Sequence, residues 1–358
     1  MTEISPLHSP SSQMDEECHA RANRLTQDGI ELLNSAETSV LVRALSCFEQ
    51  AIQLRSSLPL EVQPWYRWGL TAGWMNRADA LSRLERHEEA LISYDCAIEH
   101  LQRLPLEMES AFRWRLGLAW MNRALTQQAL GQLDAALVSL DESIKVLSHP
   151  SMTTLRDLGT LGCAWINRAA VLMEMEPALP EEAQEAAVQA LARLKPLEKQ
   201  DTLAAEASLK ARHRYCQATA LLLESSPVNI DKADGWILAA TDHVEEALSL
   251  VSYWREQADF AEIAHQLFRF GSRIYLAYQP HFLGEFMLDV LRPEAGRFLD
   301  MAFFEAAEES LMIAAEVMRH RGIEALGPKR VGDLLEMMAK QEAATRQIIA
   351  WHQEAGQS

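Results

Sequence analysis

Apolar residues recur at intervals of three and four along most of this 358-residue chain, which is the spacing of helices that bury one face. Ala90, Tyr94, Ala97 and Ile98, for example, fall on one side of a helix. Short polar breaks and prolines separate such segments and predict an all-α fold of paired helices. The predicted helices span residues 14–33, 40–55, 64–84, 87–103, 107–130, 133–148, 153–175, 181–195, 201–225 and 232–257, and then 259–278, 281–291, 297–320 and 329–352.

The first helices of three successive pairs share the motif Trp-x-Asn-Arg-Ala. Its tryptophans, Trp74, Trp120 and Trp165, are 46 and then 45 residues apart. The second helices repeat as well, at apolar and small positions occupied by Ala44, Phe48, Ala51 and Ile52, by Ala90, Tyr94, Ala97 and Ile98, and by Ala136, Leu140, Ser143 and Ile144. One helix pair cannot bury its own apolar faces, so the pairs are predicted to stack.

In these positions the chain resembles the tetratricopeptide repeat (TPR) family, with some similarity to its bacterial kinesin-light-chain-like members. The second pair matches the family pattern at Trp74, Ala78, Leu81, Ala90, Tyr94 and Ala97. Two departures are a period of about 45 residues where the family has 34, and an arginine where a leucine is usual. The resemblance implies a right-handed superhelical solenoid of antiparallel helix pairs.

Changes in the pattern along the chain predict three regions. Residues 1–13 are polar, contain two prolines and are expected to form a flexible tail. Residues 14–200 hold about four TPR-like pairs. The motif fades over residues 201–358, where we expect degenerate repeats that end in a cap, because terminal repeats must expose one face to water. A small C-terminal helical domain with a role of its own is the alternative.

The asparagines of the motif are the main candidate binding residues. The resemblance implies that Asn76, Asn122 and Asn167 lie on the concave face of the superhelix. A carboxamide both donates and accepts hydrogen bonds, so a ladder of them suits the backbone of a bound peptide. The alternative is that each asparagine bonds to a neighbouring repeat.

Other residues near the motif have two interpretations each. Met75, Met121 and Ile166 either line an adaptable apolar groove or belong to the core. Arg83 is the main basic residue expected on the same face, too little for a clamp that grips an acidic chain terminus. Arginines of the motif are expected to bond between repeats, and two tryptophans of the extended helices either pack or anchor a partner. These are Arg77, Arg123, Arg168, Trp68 and Trp114.

The formal net charge of −18, from 51 acidic and 33 basic residues, disfavours binding to the phosphates of nucleic acids. It either keeps the chain in solution or favours a basic or amphipathic partner. The five cysteines are scattered, which indicates reduced core thiols, no metal site and a cytoplasmic location. No apolar run is long enough for a membrane span.

Motifs for phosphate binding, nucleophilic catalysis and zinc hydrolysis are all missing. We therefore expect no enzyme activity and no cofactor. The leading hypothesis is an adaptor or scaffold that binds a peptide or helix of a partner protein in its concave groove. The alternatives are a self-associating or filament-decorating structural protein and a regulatory subunit of an effector enzyme.

Overall fold

The computed structural model describes residues 13–224 and 230–254, and all regular structure in these ranges is α-helical. The helices are α1 (Gln13–Leu33), α2 (Thr38–Ser56), α3 (Pro64–Arg83), α4 (His87–Gln102), α5 (Ser110–Ala129), α6 (Leu133–Leu147), α7 (Leu155–Glu174), α8 (Pro180–Leu194), α9 (Thr202–Glu224) and α10 (Ile230–Tyr253). Their bounds agree with the predicted ones to within three residues, except that α10 ends at Tyr253, four residues before its predicted end. The predicted tail, the helices after residue 254 and the C-terminal cap lie outside the described residues.

Contacts divide the chain into two compact units, with unit 1 ending at Val171 and unit 2 beginning at Leu172. In unit 1, helices α1 to α5 each pack on the next one along the chain, and short turns make consecutive helices antiparallel. In unit 2, α8 packs on α9 and α9 on α10. The predicted all-α fold of consecutive helix pairs is confirmed. The predicted region boundary at residue 200 stays a prediction.

The core of unit 1 is built from the residues that the repeat places in equivalent positions. Alanines at the crossings of paired helices are fully buried, which lets the helix backbones approach closely. Larger side chains fill the remaining space, and each adds roughly 1.5–3 kcal/mol when fully buried. The fully or almost fully buried members are Ala44, Ala78, Ala90, Ala124, Ala136 and Ala169, with Phe48, Tyr94 and Leu140.

The turns between paired helices repeat too. Glu85 and Gly131 stand 46 residues apart and both have positive φ, 59° and 71°. In each turn the next amide N–H bonds back to the last helical turn, from Arg86 to Leu81 and from Gln132 to Gln127, both at 2.9 Å. This is the hydrogen-bond pattern that ends a helix with one left-handed residue. It therefore reverses the chain in three residues and sets α4 and α6 beside their partners.

Unit 2 contains a buried ionic cluster. Arg212 of α9 is completely buried and lies 3.0 Å from Glu198 Oε2 and 3.0 Å from Glu246 Oε2 of α10. Ser208 also accepts a hydrogen bond from it. Two carboxylates balance the buried guanidinium, so this cluster is a structural link between α9 and α10. Within residues 13–224 and 230–254, every helix is too short or too polar to cross a membrane.

Candidate partner-binding face

The arginines of the motif join neighbouring repeats. Arg123 of α5 donates from Nε to Asp95 Oδ1 of α4 (2.7 Å) and from Nη1 to Ser139 Oγ of α6 (2.7 Å). Its guanidinium also lies over the Trp120 ring, 5.6 Å from the centroid. One side chain thus connects its own second helix with the second helix of the preceding repeat.

Both hydrogen bonds recur one repeat earlier, and the bond to the preceding repeat recurs one repeat later. Arg77 bonds Glu49 of α2 (3.2 Å) and Ser93 of α4 (2.6 Å). Arg168 bonds Asp141 of α6 at 2.9 Å. The predicted role of these arginines in bonding between repeats is confirmed.

The recurrence of one contact set at equivalent positions decides the architecture of this part of the chain. It is a TPR-like helical repeat.

The first helices of the TPR-like pairs leave a continuous row of partly accessible side chains, which we call the odd-helix face. Its members are all half-buried and come from α3, α5 and α7: Trp68, Ala72, Asn76, Trp114, Leu118, Asn122, Thr160, Cys163 and Asn167. Side-chain contacts hold the three helices in register. Trp114 Nε1 donates to Thr160 Oγ1 at 2.9 Å, and Arg115 Nη1 donates to the Trp68 carbonyl at 3.3 Å.

The three motif asparagines lie on this face, and one of them also bonds inside the protein. The Asn122 amide hydrogen-bonds the hydroxyl of Tyr94 on α4, and that hydroxyl donates to Asp79 Oδ1 on α3. Burial raises the pKa of Asp79, since the carboxylate loses water there. Asn122 is therefore part of a link between repeats, in line with the second interpretation, while Asn76 and Asn167 are half-buried members of the same row.

The apolar neighbours of the asparagines are core residues in this structure. Met75, Met121 and Ile166 are 6%, 9% and 7% exposed. These three side chains pack in the core, as the second interpretation said, and do not belong to the odd-helix face. Arg83 is exposed and donates to the carbonyl of Leu33, the last residue of α1. Its guanidinium thus caps a helix end, which was not predicted.

Three further arginines near this face were missed at the sequence level. Arg115 stacks on Trp68 with its Cζ 3.3 Å from the ring centroid, and Arg156 lies 4.3 Å over Trp114. Arg55 is 2% exposed beside them. The sequence could have identified Arg55, because this arginine occupies the position where the following repeats have leucine, at 46-residue intervals.

Unit 2 has its own group of shifted titratable residues. His243 of α10 packs edge-on against Tyr215 at 4.5 Å. Burial, and then the charge of Arg212, lower the pKa of His243 to about 4. A surface pocket lined by Val188, Leu191 and Ala239 lies beside it. In the described part of the chain, no three His, Cys, Asp or Glu side chains converge as metal ligands would.

Similar chains exist among solved structures. BtubC (BKLC) from P. vanneervenii has a TM-score of 0.49 and 14% identity, with 79% of this chain and 94% of that chain covered. A tetratricopeptide repeat protein from Parabacteroides merdae has a TM-score of 0.40 and 13% identity, with coverages of 90% and 99%. A circular tandem repeat protein gives 0.42 and 15%, with coverages of 96% and 86%.

No family model and no curated protein matches the chain. Because the TM-scores are below 0.5, the assignment as a TPR-like repeat rests on the chain's own repeated contacts.

Proposed function

We propose that this chain is a non-enzymatic adaptor or scaffold that holds a segment of a partner protein on the odd-helix face. The observation that carries the proposal is the row of half-buried carboxamide, indole and aliphatic side chains at equivalent positions of α3, α5 and α7. Partners bind best where partly covered side chains complete their burial against an apolar or aromatic surface. A row that repeats from helix to helix suits an elongated ligand.

The chemistry of the row suits a peptide backbone. The carboxamides of Asn76 and Asn167 each offer a donor and an acceptor, and the two lie on helices separated by α5. Leu118 and the 42% exposed Leu125 add apolar contact on α5 between them. An extended segment laid across the three helices would gain hydrogen bonds at both ends and apolar burial at the centre.

A pair of matched substitutions tests the choice of face. Leu125 follows Asn122 by three residues on α5, so Leu125→Glu places a charge beside the odd-helix face. Val138→Glu places the same charge on α6, where Val138 is 64% exposed. Both changes begin at exposed side chains, so both variants should fold, which circular dichroism checks. We expect quantitative affinity capture from the native cell to lose its specific partners with Leu125→Glu and to keep them with Val138→Glu.

A second variant tests the carboxamides. Asn76→Ala with Asn167→Ala leaves the internal bond of Asn122 to Tyr94 in place. We expect the double variant to keep the fold and to weaken partner capture about tenfold, as the loss of two hydrogen bonds to a ligand predicts. If both the double variant and Leu125→Glu retained every partner, the odd-helix face would not be the binding surface.

A further inference from the structure

Two arginines beside the odd-helix face lie over tryptophan rings. Arg115 of α5 lies on Trp68 of α3, with its Cζ 3.3 Å from the ring centroid, and Arg156 of α7 lies on Trp114 at 4.3 Å. A guanidinium stacked on an indole is fixed in orientation while the N–H groups at its edge stay in plane. Arg115 uses one of them on the Trp68 carbonyl. Two oriented donor groups thus stand on neighbouring helices.

A third arginine carries a buried positive charge next to them. Arg55 Nη1 donates to Thr26 Oγ1 (2.8 Å) and Nη2 to Asn23 Oδ1 (2.7 Å), both uncharged acceptors. Its Nε is buried without a hydrogen-bond partner and lies against Gly69 of α3, where a Cβ would approach it to 2.9 Å. The leucines at the equivalent repeat positions, Leu101 and Leu147, are 0% and 1% exposed.

These charges act on one another, and two of the three arginines lack a balancing carboxylate. Among the residues that the structure describes, Arg55 and Arg115 form no ion pair, and Arg156 has only a 3.5 Å contact with its neighbour Asp157. Burial, then the charges of Arg156 and Arg55, lower the pKa of Arg115 to about 10. The three guanidinium groups therefore make a local positive field within a chain of net charge −18.

We propose that Arg115 and Arg156 bind the carboxylates of an acidic segment of a partner protein. Arg55 is a positioning residue, because its buried charge strengthens the positive potential at the two binding arginines. This inference rests on the proposed function, because it names the chemistry of the segment on the odd-helix face. Each stacked guanidinium can meet a carboxylate through two parallel N–H···O bonds. An anion there also offsets the unfavourable burial of the Arg55 charge.

A peptide fits the site better than a nucleic acid. Beyond the two arginines the face continues with Ala72, Leu118 and Cys163, which offer apolar contact and no further cations. A nucleic acid would need cations at regular intervals along its phosphates, whereas the face continues with apolar side chains. A short acidic run followed by a less charged stretch matches the order of side chains on the face.

The test is a titration of the full chain with fluorescein-labelled hexaglutamate, followed by fluorescence anisotropy. Hexaserine is the neutral peptide, and single-stranded hexathymidylate reports general affinity for anions. Of these three probes, we expect only hexaglutamate to bind. Arg115→Gln and Arg156→Gln should each weaken it about tenfold, the loss of one charge-assisted bidentate contact. The control Arg103→Gln removes an equal charge from α4, where Arg103 pairs with Glu99, and should leave binding unchanged.

The variant Arg55→Leu distinguishes an electrostatic role of Arg55 in binding from a structural role in the fold. It installs the residue found at the equivalent positions of the following repeats, so the melting temperature should hold or rise. Binding of hexaglutamate should still weaken, by about threefold, because a like charge near the site is lost. A merely structural arginine would show the reverse, with a lower melting temperature and unchanged binding.

Several results would overturn the proposal: no binding of hexaglutamate at millimolar concentration, equal binding of hexathymidylate, or an Arg103→Gln variant that weakens binding as much as Arg115→Gln. Arg115→Lys serves as a second variant if Arg115→Gln does not fold, and it should bind more weakly than the wild type because the fork geometry is lost. The peptide titration needs no natural partner. If it fails while Leu125→Glu still abolishes partner capture, this inference falls and the proposed function stands.

Discussion

Three arginines, Arg123, Arg212 and Arg55, show how the surroundings of a side chain decide its role. Arg123 is partly exposed and joins two helices through an aspartate and a serine. Arg212 is fully buried but has Glu198 and Glu246 as counter-charges. Arg55 is buried among neutral acceptors. Of these three, only Arg55 lacks a carboxylate partner, and its buried charge costs stability unless a ligand or neighbour offsets it.

A single turn residue gives the first prediction, at the residue scale. Glu85 has φ 59°, where its side chain is strained, and Gly131 occupies the equivalent position in the next repeat. Glu85→Gly should therefore raise the free energy of unfolding by about 1 kcal/mol, since glycine accepts this conformation without steric cost.

Urea unfolding followed by circular dichroism measures the effect, with Gly131→Ala as the opposite change. Gly131→Ala should lower the free energy of unfolding by a similar amount. A Glu85→Gly variant less stable than the wild type would mean that the Glu85 side chain contributes more than its backbone strain costs.

At the scale of helices, close approach depends on single small residues. A Cβ added at Gly117 of α5 would lie 2.5 Å from Leu147 Cγ of α6, a separation that real atoms do not tolerate. A Cβ added at Gly159 of α7 would meet nothing within 4 Å. Two glycines in first helices of the repeat thus have opposite packing environments.

Alanine substitutions at these glycines should change stability in opposite directions. Gly117→Ala should lower the free energy of unfolding by about 1–3 kcal/mol, because it forces α5 and α6 apart. Gly159→Ala should raise it by about 0.5–1 kcal/mol, because alanine restricts the unfolded chain and favours helix. Thermal and urea unfolding of the two variants give the comparison, and equal effects would contradict the packing of α5 on α6.

The helices themselves were predictable because their signal is periodic and local. Among α1 to α9 the largest difference is at the start of α5, predicted at residue 107 and observed at Ser110. Glu107 instead precedes the helix and pairs with Arg113 at 2.7 Å. A prediction from periodicity extends a helix through any residues that favour helix. The observed start of α5 goes with the contact between Glu107 and Arg113, which the apolar periodicity does not contain.

For the whole molecule, pH changes both charge and stability. The sequence isoelectric point is about 5.1, so the net charge approaches zero on mild acidification. In unit 2, burial holds the pKa of His243 and that of His213 at about 4, below the ordinary 6.5. The unfolded chain then binds more protons than the folded chain between pH 6.5 and 4, and stability falls as the pH falls through that window.

We expect the free energy of unfolding to drop by about 2 kcal/mol between pH 7 and pH 5 through His243. His243→Phe keeps a ring against Tyr215 and removes the titrating group, so it should reduce that drop. Urea unfolding of dilute protein at the two pH values measures it, with hydrogen exchange reporting on unit 2. His149→Phe, in the turn after α6, is the matched control and should keep the wild-type acid dependence. An unchanged drop in His243→Phe would assign the acid sensitivity elsewhere.

The order of residues was enough to predict helix positions, helix pairing and the repeat, because these depend on local periodicity and on side-chain size. It was also enough to predict that Arg77, Arg123 and Arg168 bond between repeats, since the motif recurs with the period. The candidate face was predictable in part: the asparagines were found, and Met75 and Met121 had two interpretations that periodicity could not separate.

Burial and proximity needed the three-dimensional arrangement. Arg55, Arg115 and Arg156 are far apart in the chain, and only the stacking of α2, α3, α5 and α7 brings their charges together. The same holds for the bond from Asn122 to Tyr94, which spans two repeats. Electrostatic interactions depend on distance and on exclusion of water, and a linear pattern specifies neither.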